Sequence, residues 1–255
     1  LKIMTTKDAT YTYTLRLGDD ALILGHRLSE LCSRGPILEE DLALTNVALD
    51  MIGRAQALLK YAADIEGKGK TDDDIAYRRA EINYYNHLLI EQPNGDFAHT
   101  IARQLFVSVF EFLFYTELEK SRDETLAAIA SKTIKEIKYH MQHAIDWTLR
   151  LGDGTSESHK RMQTAVNDLW MYTGELFEMD EVDAQLMREG IAVDLIPIKA
   201  KWHDDIKTVL SKATLLMPED TYMQTGSKKG IHTENLGHIL SEMQYLQRAY
   251  PDAVW

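Results

Sequence analysis

A single acidic side chain, Glu111, interrupts the most apolar stretch of this sequence, residues 105–115. A helix that is apolar on nearly every side is buried on nearly every side. An isolated carboxylate is costly to bury, so Glu111 must be ion-paired or hydrogen-bonded, protonated, or bound to a metal. The stretch therefore lies either at the centre of a helical bundle or beneath another subunit.

A metal site in a helical bundle has a recognisable sequence pattern. Di-metal carboxylate sites take one Glu from each of two helices and a Glu-x-x-His motif from each of two others, because residues three apart share a helix face. This sequence contains no Glu-x-x-His. The nearest patterns are Asp50-x-x-Gly53 and Glu136-x-x-Tyr139, with His140 one position late.

Glu136, His140 and His143 recur at helical spacing, so they share one stripe and could bind a metal. That stripe lies beside the apolar arc of the same helix rather than at its centre, a position that favours partly buried polar residues without a metal. Asp96-x-x-His99 also has ligand spacing, but it follows Asn94-Gly95, so helix capping explains Asp96. For Glu136, His140 and His143, metal binding and a purely structural role both stay open.

Lys228 and Lys229 lie in a glycine-flanked segment, residues 226–230, that could contact a phosphate or an acidic partner. Two loop lysines are also commonly just solvated. Cys32 has no neighbouring cysteine and is more typical of a packing residue than of a nucleophile. Motifs for serine hydrolases, P-loops and dinucleotide binding are absent from the sequence.

The elements that must position these residues are helices. Only 14 Gly and 5 Pro occur in 255 residues, apolar residues recur at helical spacing, and no run alternates as a strand would. About nine helices are predicted, at residues 19–33, 36–67, 73–91, 96–120, 121–151, 156–177, 182–188, 197–216 and 233–249. The first should be capped by Asp19 or Asp20, the second should have Pro36 in its first turn and end at Gly67, and the fifth should begin with a capping box at 121–124. Residues 218–232 are predicted to form a loop. Short links favour an all-α, up-and-down bundle with additional C-terminal helices. We expect a single domain over 1–255, with its core at about 19–179 and an extension at 180–255.

Charge and composition narrow the class of partner. The chain carries 28 Lys and Arg against 40 Asp and Glu, a net charge of −12, so nucleic acids and anionic membranes are unfavoured. The apolar stretch around Glu111 is shorter than a membrane span requires. One cysteine and no apparent signal peptide favour the cytoplasm.

Several strings of this sequence resemble the PaaC family, the C subunits of bacterial ring-1,2-phenylacetyl-CoA epoxidases, and the similarity runs from about residue 11 to Trp255. The strings that carry it are residues 13–19, 91–95, 100–104, 135–136, 190–194, 228–234 and 242–248. The resemblance implies a ferritin-like bundle within a multicomponent monooxygenase of phenylacetate degradation. It also implies a homologous A subunit that holds the di-iron centre, and a reductase subunit that supplies electrons.

The resemblance further maps the family's iron-ligand positions onto this chain. They correspond to Glu30, to Asp50 with Gly53, to Glu111, and to Glu136 with Tyr139 or His140. One histidine position is glycine and the other is displaced, and carboxylates alone make a poorly tuned iron site.

We therefore expect a structural, non-catalytic subunit without a catalytic residue, metal or cofactor of its own, which binds the A-type catalytic subunit. One alternative is a di-iron oxygenase subunit that uses Glu30, Asp50, Glu111, Glu136 and His140. A weaker alternative is a ferritin-like metal-storage protein, because intact ligand pairs are missing.

Overall fold

The computed structural model describes residues 4–220, 222–251 and 253, and every regular element among them is helical. No β-strand occurs in those residues, so the predicted all-α class is confirmed. The α-helices are α1 (Thr6–Ser29), α2 (Leu38–Glu66), α3 (Asp72–Tyr77), α4 (Leu88–Glu91), α5 (Phe97–Leu118), α6 (Glu124–Gly152), α7 (Ser156–Trp170), α8 (Glu181–Arg188), α9 (Leu195–Lys212), α10 (Glu234–Met243) and α11 (Tyr245–Ala249). Three 3₁₀ turns lie at Glu81–Asn83, Gly174–Phe177 and Ser227–Lys229.

The chain divides into two compact units. The first combines Leu1–Pro93 with Gly226–Trp255, and the second is Asn94–Thr225. The predicted single domain, with a core at 19–179 and an extension at 180–255, stays a prediction. Trp255, where the resemblance ends, and Thr221, within the loop predicted at 218–232, lie outside the described residues.

In the first unit, α1 and α2 form an antiparallel pair. A Cβ added at Gly18 would lie 2.5 Å from the side chain of Leu59, and one at Gly25 would lie 2.8 Å from Ile52. The later residue of α1 therefore meets the earlier residue of α2, so the two helices run in opposite directions. The two glycines let the helices approach closely, and Gly67, with φ +70°, ends α2 in the left-handed conformation as predicted.

The start predicted for the first helix is wrong. α1 begins at Thr6, where Thr5 and Asp8 form a capping box, and it ends at Ser29 rather than near residue 33. Asp19 and Asp20, expected to cap the helix, lie in its interior instead. Pro36 also lies two residues before the first residue of α2, rather than in its first turn.

The helix predicted at 73–91 is also wrong, because α1 side chains replace its backbone hydrogen bonds. The N–H of Tyr85 donates to Asp19 (3.0 Å), and the N–H of His87 donates to Asp20 (2.8 Å). Arg79 bonds the Asp19 carboxylate and donates to the carbonyl oxygens of Ile75 and Asn83, each at 2.6 Å. The segment therefore forms α3, a 3₁₀ turn and the short α4.

In the second unit, α5 and α6 are the long helices. Asp96 caps α5 by accepting from the His99 N–H at 3.0 Å, which confirms the predicted capping role. Phe97, at the start of α5, packs against Trp147 near the end of α6, so this pair is antiparallel too. α6 is capped by Asp123 rather than by the predicted box beginning at Ser121. The pattern nevertheless placed its start within three residues.

α5 is the central helix of this unit. By length and composition alone, it is long and apolar enough to cross a membrane. Of its most apolar 18-residue stretch, however, 78% is buried inside the structure. Burial of this degree is what a core helix shows. Beside it, an aromatic cluster joins α5, α7 and α9: the ring centroids of Phe106, Trp170 and Trp202 lie 5.7–5.9 Å apart.

The remaining boundaries differ from the predictions by small amounts. The helix predicted to reach Phe177 ends at Trp170, and a 3₁₀ turn follows. The last predicted helix, at 233–249, is divided at Gln244 into α10 and α11. Outside its 3₁₀ turn, the described part of 218–232 lacks regular structure, as predicted for a loop.

Candidate functional site

The five degenerate ligand positions are divided between the two units, with Glu30 and Asp50 in the first. Glu30 caps the C-terminus of α1, and its carboxylate bonds the Arg27 guanidinium at 2.9 and 3.1 Å. Asp50 lies half-buried on α2. A Cβ at Gly53, one turn further, would have no atom within 4 Å, so the place of a histidine ligand opens to empty space.

The other three positions lie in the second unit. Glu111 on α5 is 5% exposed and His140 on α6 is 2% exposed, while Glu136 is half-buried. Tyr139 is 51% exposed. In the part of the chain that the structure describes, no three His, Cys, Asp or Glu side chains are grouped so as to hold a metal ion. The predicted lack of a metal and of a cofactor stays a prediction.

One side of α2 is apolar and open. Leu38, Leu42 and Leu49 are 70%, 55% and 64% exposed, and Gly53 follows on the same side. These residues are four or seven positions apart, which places them in one stripe along the helix. We call these four residues the α2 face. Exposed leucines in a row, next to a glycine that leaves room for a neighbouring side chain, are typical of a helix packing surface.

The two predicted lysines lie on a short loop in the first unit. Lys228 is half-buried, Lys229 is exposed, and the segment that contains them is a 3₁₀ turn with Gly226 before it and Gly230 after it. Both glycines have positive φ, +145° and +69°. We call residues 226–230 the lysine loop.

Two residues after the lysine loop, His232 is anchored on the buried carboxylate of Glu91. Glu91 accepts from Asn86 Nδ2 (2.9 Å), His232 Nδ1 (2.9 Å), the Thr233 N–H (2.6 Å) and Thr233 Oγ1 (2.8 Å). These contacts occupy both oxygens of the carboxylate. Its own backbone carbonyl accepts from Arg27 at 2.7 and 3.1 Å, so α1, α4 and the N-terminus of α10 meet at one residue.

Both ring nitrogens of His232 face an oxygen atom. Nδ1 lies 2.9 Å from the Glu91 carboxylate, and Nε2 lies 2.8 Å from the backbone carbonyl of Tyr84. The carbonyl can only accept, so Nε2 carries a proton and donates to it. Because neither side chain has any exposed surface, Glu91 and His232 form a fully buried pair.

A second buried group lies beside this pair. The Tyr84 hydroxyl donates to the carbonyl of Ala76 and accepts from Gln244 Nε2 at 2.7 Å, and the Arg79 guanidinium lies 4.1 Å from the ring centroid. Burial raises the pKa of Tyr84 to about 12, although the Arg79 charge lowers it. The hydroxyl therefore stays protonated and ties α3 to the last residue before α11.

In the second unit, His99 touches two carboxylates. Its Nδ1 lies 2.9 Å from Asp96 and its Nε2 3.2 Å from Asp168. Partial burial alone would lower the pKa of His99, but the hydrogen bonds and charges of Asp96 and Asp168 raise it above its usual value. Asp96 serves as cap and ion partner at once, so its ligand-like spacing has a structural explanation.

Sequence reasoning missed the buried polar residues. Glu91 and His232 fall inside strings that carry the resemblance, yet no role was predicted for them. Asp19 and Asp20 were assigned to a helix start. A signal was present: two adjacent acids in the middle of a helical pattern, with Arg79 in a segment that follows, are typical of an ion pair that interrupts a helix.

Comparison with known proteins agrees with the resemblance. The profile of the family described as "Phenylacetic acid catabolic protein" matches residues 2–255. The chain is also 49% identical over 243 residues to the C subunit of the 1,2-phenylacetyl-CoA epoxidase of Escherichia coli (strain K12), covering 95% of this chain and 98% of that protein. The predicted resemblance to the C subunits is thus confirmed, and so is the predicted ferritin-like class, which is the fold of this family.

Proposed function

This chain belongs to the phenylacetic acid catabolic protein family, and from that premise we propose that it is the structural C-type subunit of a phenylacetyl-CoA-epoxidising oxygenase. In this role it binds the A-type catalytic subunit, which holds the di-iron centre, and it performs no oxygen chemistry itself. A reductase component completes the assembly. The proposal has two parts, the absence of catalysis and the binding of a partner, and each has its own support.

The donor set supports the non-catalytic part. A di-iron carboxylate site in a helical bundle needs two imidazoles beside its carboxylates. Gly53 offers no donor atom at one of these positions, and His140 is one residue late at the other. Glu30 already binds Arg27, and breaking that ion pair would add to the cost of iron binding. The residues present therefore fit a di-iron group poorly.

The α2 face is the observation that carries the partner-binding part. Stable subunit interfaces have an apolar centre, and monomer surfaces rarely line up large apolar side chains. The stripe of Leu38, Leu42 and Leu49 has this character, whereas α5, the most apolar helix, has most of its apolar residues buried. Gly53 would receive a side chain of the partner helix.

Capture of the A-type subunit tests this proposal. Leu42→Glu with Leu49→Glu places two charges at the centre of the α2 face. We expect capture by the tagged chain to weaken at least about 100-fold, because each charge would be buried without a partner. The matched control is Leu216→Glu, since Leu216 is 77% exposed in the other unit and its change should leave capture intact. Unchanged capture by the double variant contradicts the proposal.

Metal analysis tests the alternative of a di-iron subunit. Its ligands would be Glu30, Asp50, Glu111, Glu136 and His140. We expect the chain purified alone, and then incubated with ferrous iron under argon, to retain well under one iron per chain after desalting. About two irons per chain, lost on Glu111→Ala, together with turnover of phenylacetyl-CoA, would replace the structural role with a catalytic one.

A further inference from the structure

Polar side chains line the interface between the two long helices of the second unit. α5 packs on α6 more extensively than on the other helices of this unit, and Phe97 on α5 contacts Trp147 on the antiparallel α6. Seven, eleven and fourteen residues after Phe97, and equally far before Trp147, each helix returns to the side of this contact. All six positions are polar, and we call them the polar seam: Gln104, Ser108 and Glu111 on α5, and Thr133, Glu136 and His140 on α6.

Two residues of the polar seam have buried polar atoms that no protein group satisfies. Gln104 is 3% exposed and Ser108 is 2% exposed, and neither the Gln104 amide oxygen nor the Ser108 hydroxyl has a hydrogen-bond partner among the described residues. The hydroxyls of Thr133 and Thr148 on α6 donate to the backbone carbonyl four residues earlier, each at 2.8 Å. Ser108 makes no such bond. A dry, unsatisfied polar group is costly, so folded proteins supply partners for nearly all of them.

The spacing of these two groups fits a single water molecule. Residues four positions apart on a helix lie about 5–6 Å from each other. Two hydrogen bonds of about 2.8 Å each span that distance. The amide oxygen of Gln104 can only accept, whereas the Ser108 hydroxyl can donate or accept. A bridging molecule must therefore bring a hydrogen-bond donor, which water has and a simple anion lacks.

A metal ion fits the polar seam less well than water does. From Gln104 to Glu111 the α5 side of the seam extends about 10 Å along the helix axis. A calcium-like cation holds its ligands within about 2.6 Å, so one ion cannot serve the whole seam. Among the residues that the structure describes, no three His, Cys, Asp or Glu side chains are grouped to hold a metal ion.

We infer that the polar seam holds buried water, with one molecule bridging Gln104 Oε1 and Ser108 Oγ. Three of the positions that the resemblance assigns to iron ligands, Glu111, Glu136 and His140, lie on the same seam. Water therefore takes the place of a metal ion beside these side chains. The inference rests on burial and hydrogen bonding within the second unit, so it does not depend on the proposed function.

A high-resolution crystal structure of the full chain, purified without added metal or chelator, is the direct test. We expect a water peak within hydrogen-bond distance of both Gln104 Oε1 and Ser108 Oγ, with no anomalous scattering at the iron edge. The absence of any peak there would overturn the inference and leave the proposed function intact. An iron peak in the seam would overturn the inference and favour the di-iron alternative as well.

The sign of a stability change gives a second test. If Ser108 bonds buried water, Ser108→Ala removes a hydrogen bond and should lower the urea midpoint by about 0.3–0.5 M relative to Ser131→Ala. Ser131→Ala is the matched control, because Ser131 is exposed on α6 and the change there measures only the gain in helix propensity. A dry hydroxyl predicts the opposite sign, so a rise in midpoint larger than that of the control would contradict the inference.

Discussion

The two units are stabilised by different kinds of interior. In the first unit, buried charges hold irregular segments in place: Arg79 on Asp19, and His232 on Glu91. In the second unit, α5, α7 and α9 meet through tilted and edge-on aromatic rings, centred on Trp202. The contacts in the first interior are directional, so few other side chains could replace them. The packing in the second interior buries a large apolar area and depends little on direction.

This difference follows from what each interior must position. Aromatic packing fills the space between regular helices and tolerates small shifts. A loop without regular structure has no ladder of backbone hydrogen bonds, so side chains such as Glu91 must satisfy its polar groups. In the first unit, Glu91 and His232 do this for the segment that follows the lysine loop. The comparison predicts that the two interiors respond differently to the same kinds of change.

The largest effect is expected for Trp202→Ala in the second unit. Trp202 is 2% exposed, its ring lies 5.3 Å from Phe177, and its Nε1–H donates to the carbonyl of Phe106 at 3.0 Å. Removing it leaves a cavity and takes away the indole hydrogen bond to that carbonyl. We expect the free energy of unfolding, measured with urea, to fall by about 4 kcal/mol. Trp147→Ala, at a half-buried ring, should cost less than half as much, and equal losses would contradict an aromatic core centred on Trp202.

Glu91→Gln should have the next largest effect, by a different mechanism. The substitution keeps the shape but replaces one carboxylate oxygen by an NH₂ group, which then faces buried donors instead of accepting from them. We expect a loss of about 3 kcal/mol in urea unfolding. Hydrogen exchange should become faster in residues 226–233, while the middle of α5 keeps its protection. Glu30→Gln removes an ion pair whose carboxylate is 35% exposed and should cost under about 1 kcal/mol.

If Glu91→Gln costs no more than Glu30→Gln, buried charge does not hold the first unit together. If Glu91→Gln made hydrogen exchange faster to the same extent in both units, the proposed difference between the interiors would be contradicted. Loss confined to 226–233 supports the anchoring role of Glu91.

The contrast also explains which parts of the structure could be predicted from sequence. The long helices, the cap at Asp96 and the end of α2 at Gly67 follow from local patterns of apolar spacing, caps and glycine. These patterns involve residues only a few positions apart, so they can be recognised in the sequence without knowledge of tertiary contacts. The helix predicted at 73–91 failed because Asp19 and Asp20, about 65 residues away, take over its N–H groups. No local pattern contains that information.

The candidate site divides in the same way. A contact of Lys228 and Lys229 with a phosphate or an acidic partner was predicted from their position in a glycine-flanked segment, and it stays a prediction. The structure adds the buried pair of Glu91 and His232 beside their loop. The five ligand positions were assigned by resemblance, and metal analysis must test whether they bind iron. The α2 face was not predicted, because exposed leucines at helical spacing look the same in sequence as buried ones.

The smallest effect is expected at His99, which tests whether surface charge in the second unit matters. The folded pKa of His99 is raised by Asp96 and Asp168, so its stabilising contribution is fully present below the usual histidine pKa of about 6.5. It is lost as the pH rises through the folded value. His99→Asn should therefore cost under about 1 kcal/mol at pH about 5.5 and close to nothing at pH about 9.

Urea unfolding of both proteins at the two pH values measures this difference, and the backbone cap at Asp96 is retained because residue 99 still has its N–H. A loss of equal size at both pH values would mean that His99 acts through packing rather than charge. A loss as large as that of Glu91→Gln would mean that half-exposed and buried ion pairs contribute alike. The distinction between the two interiors would then depend on the aromatic rings alone.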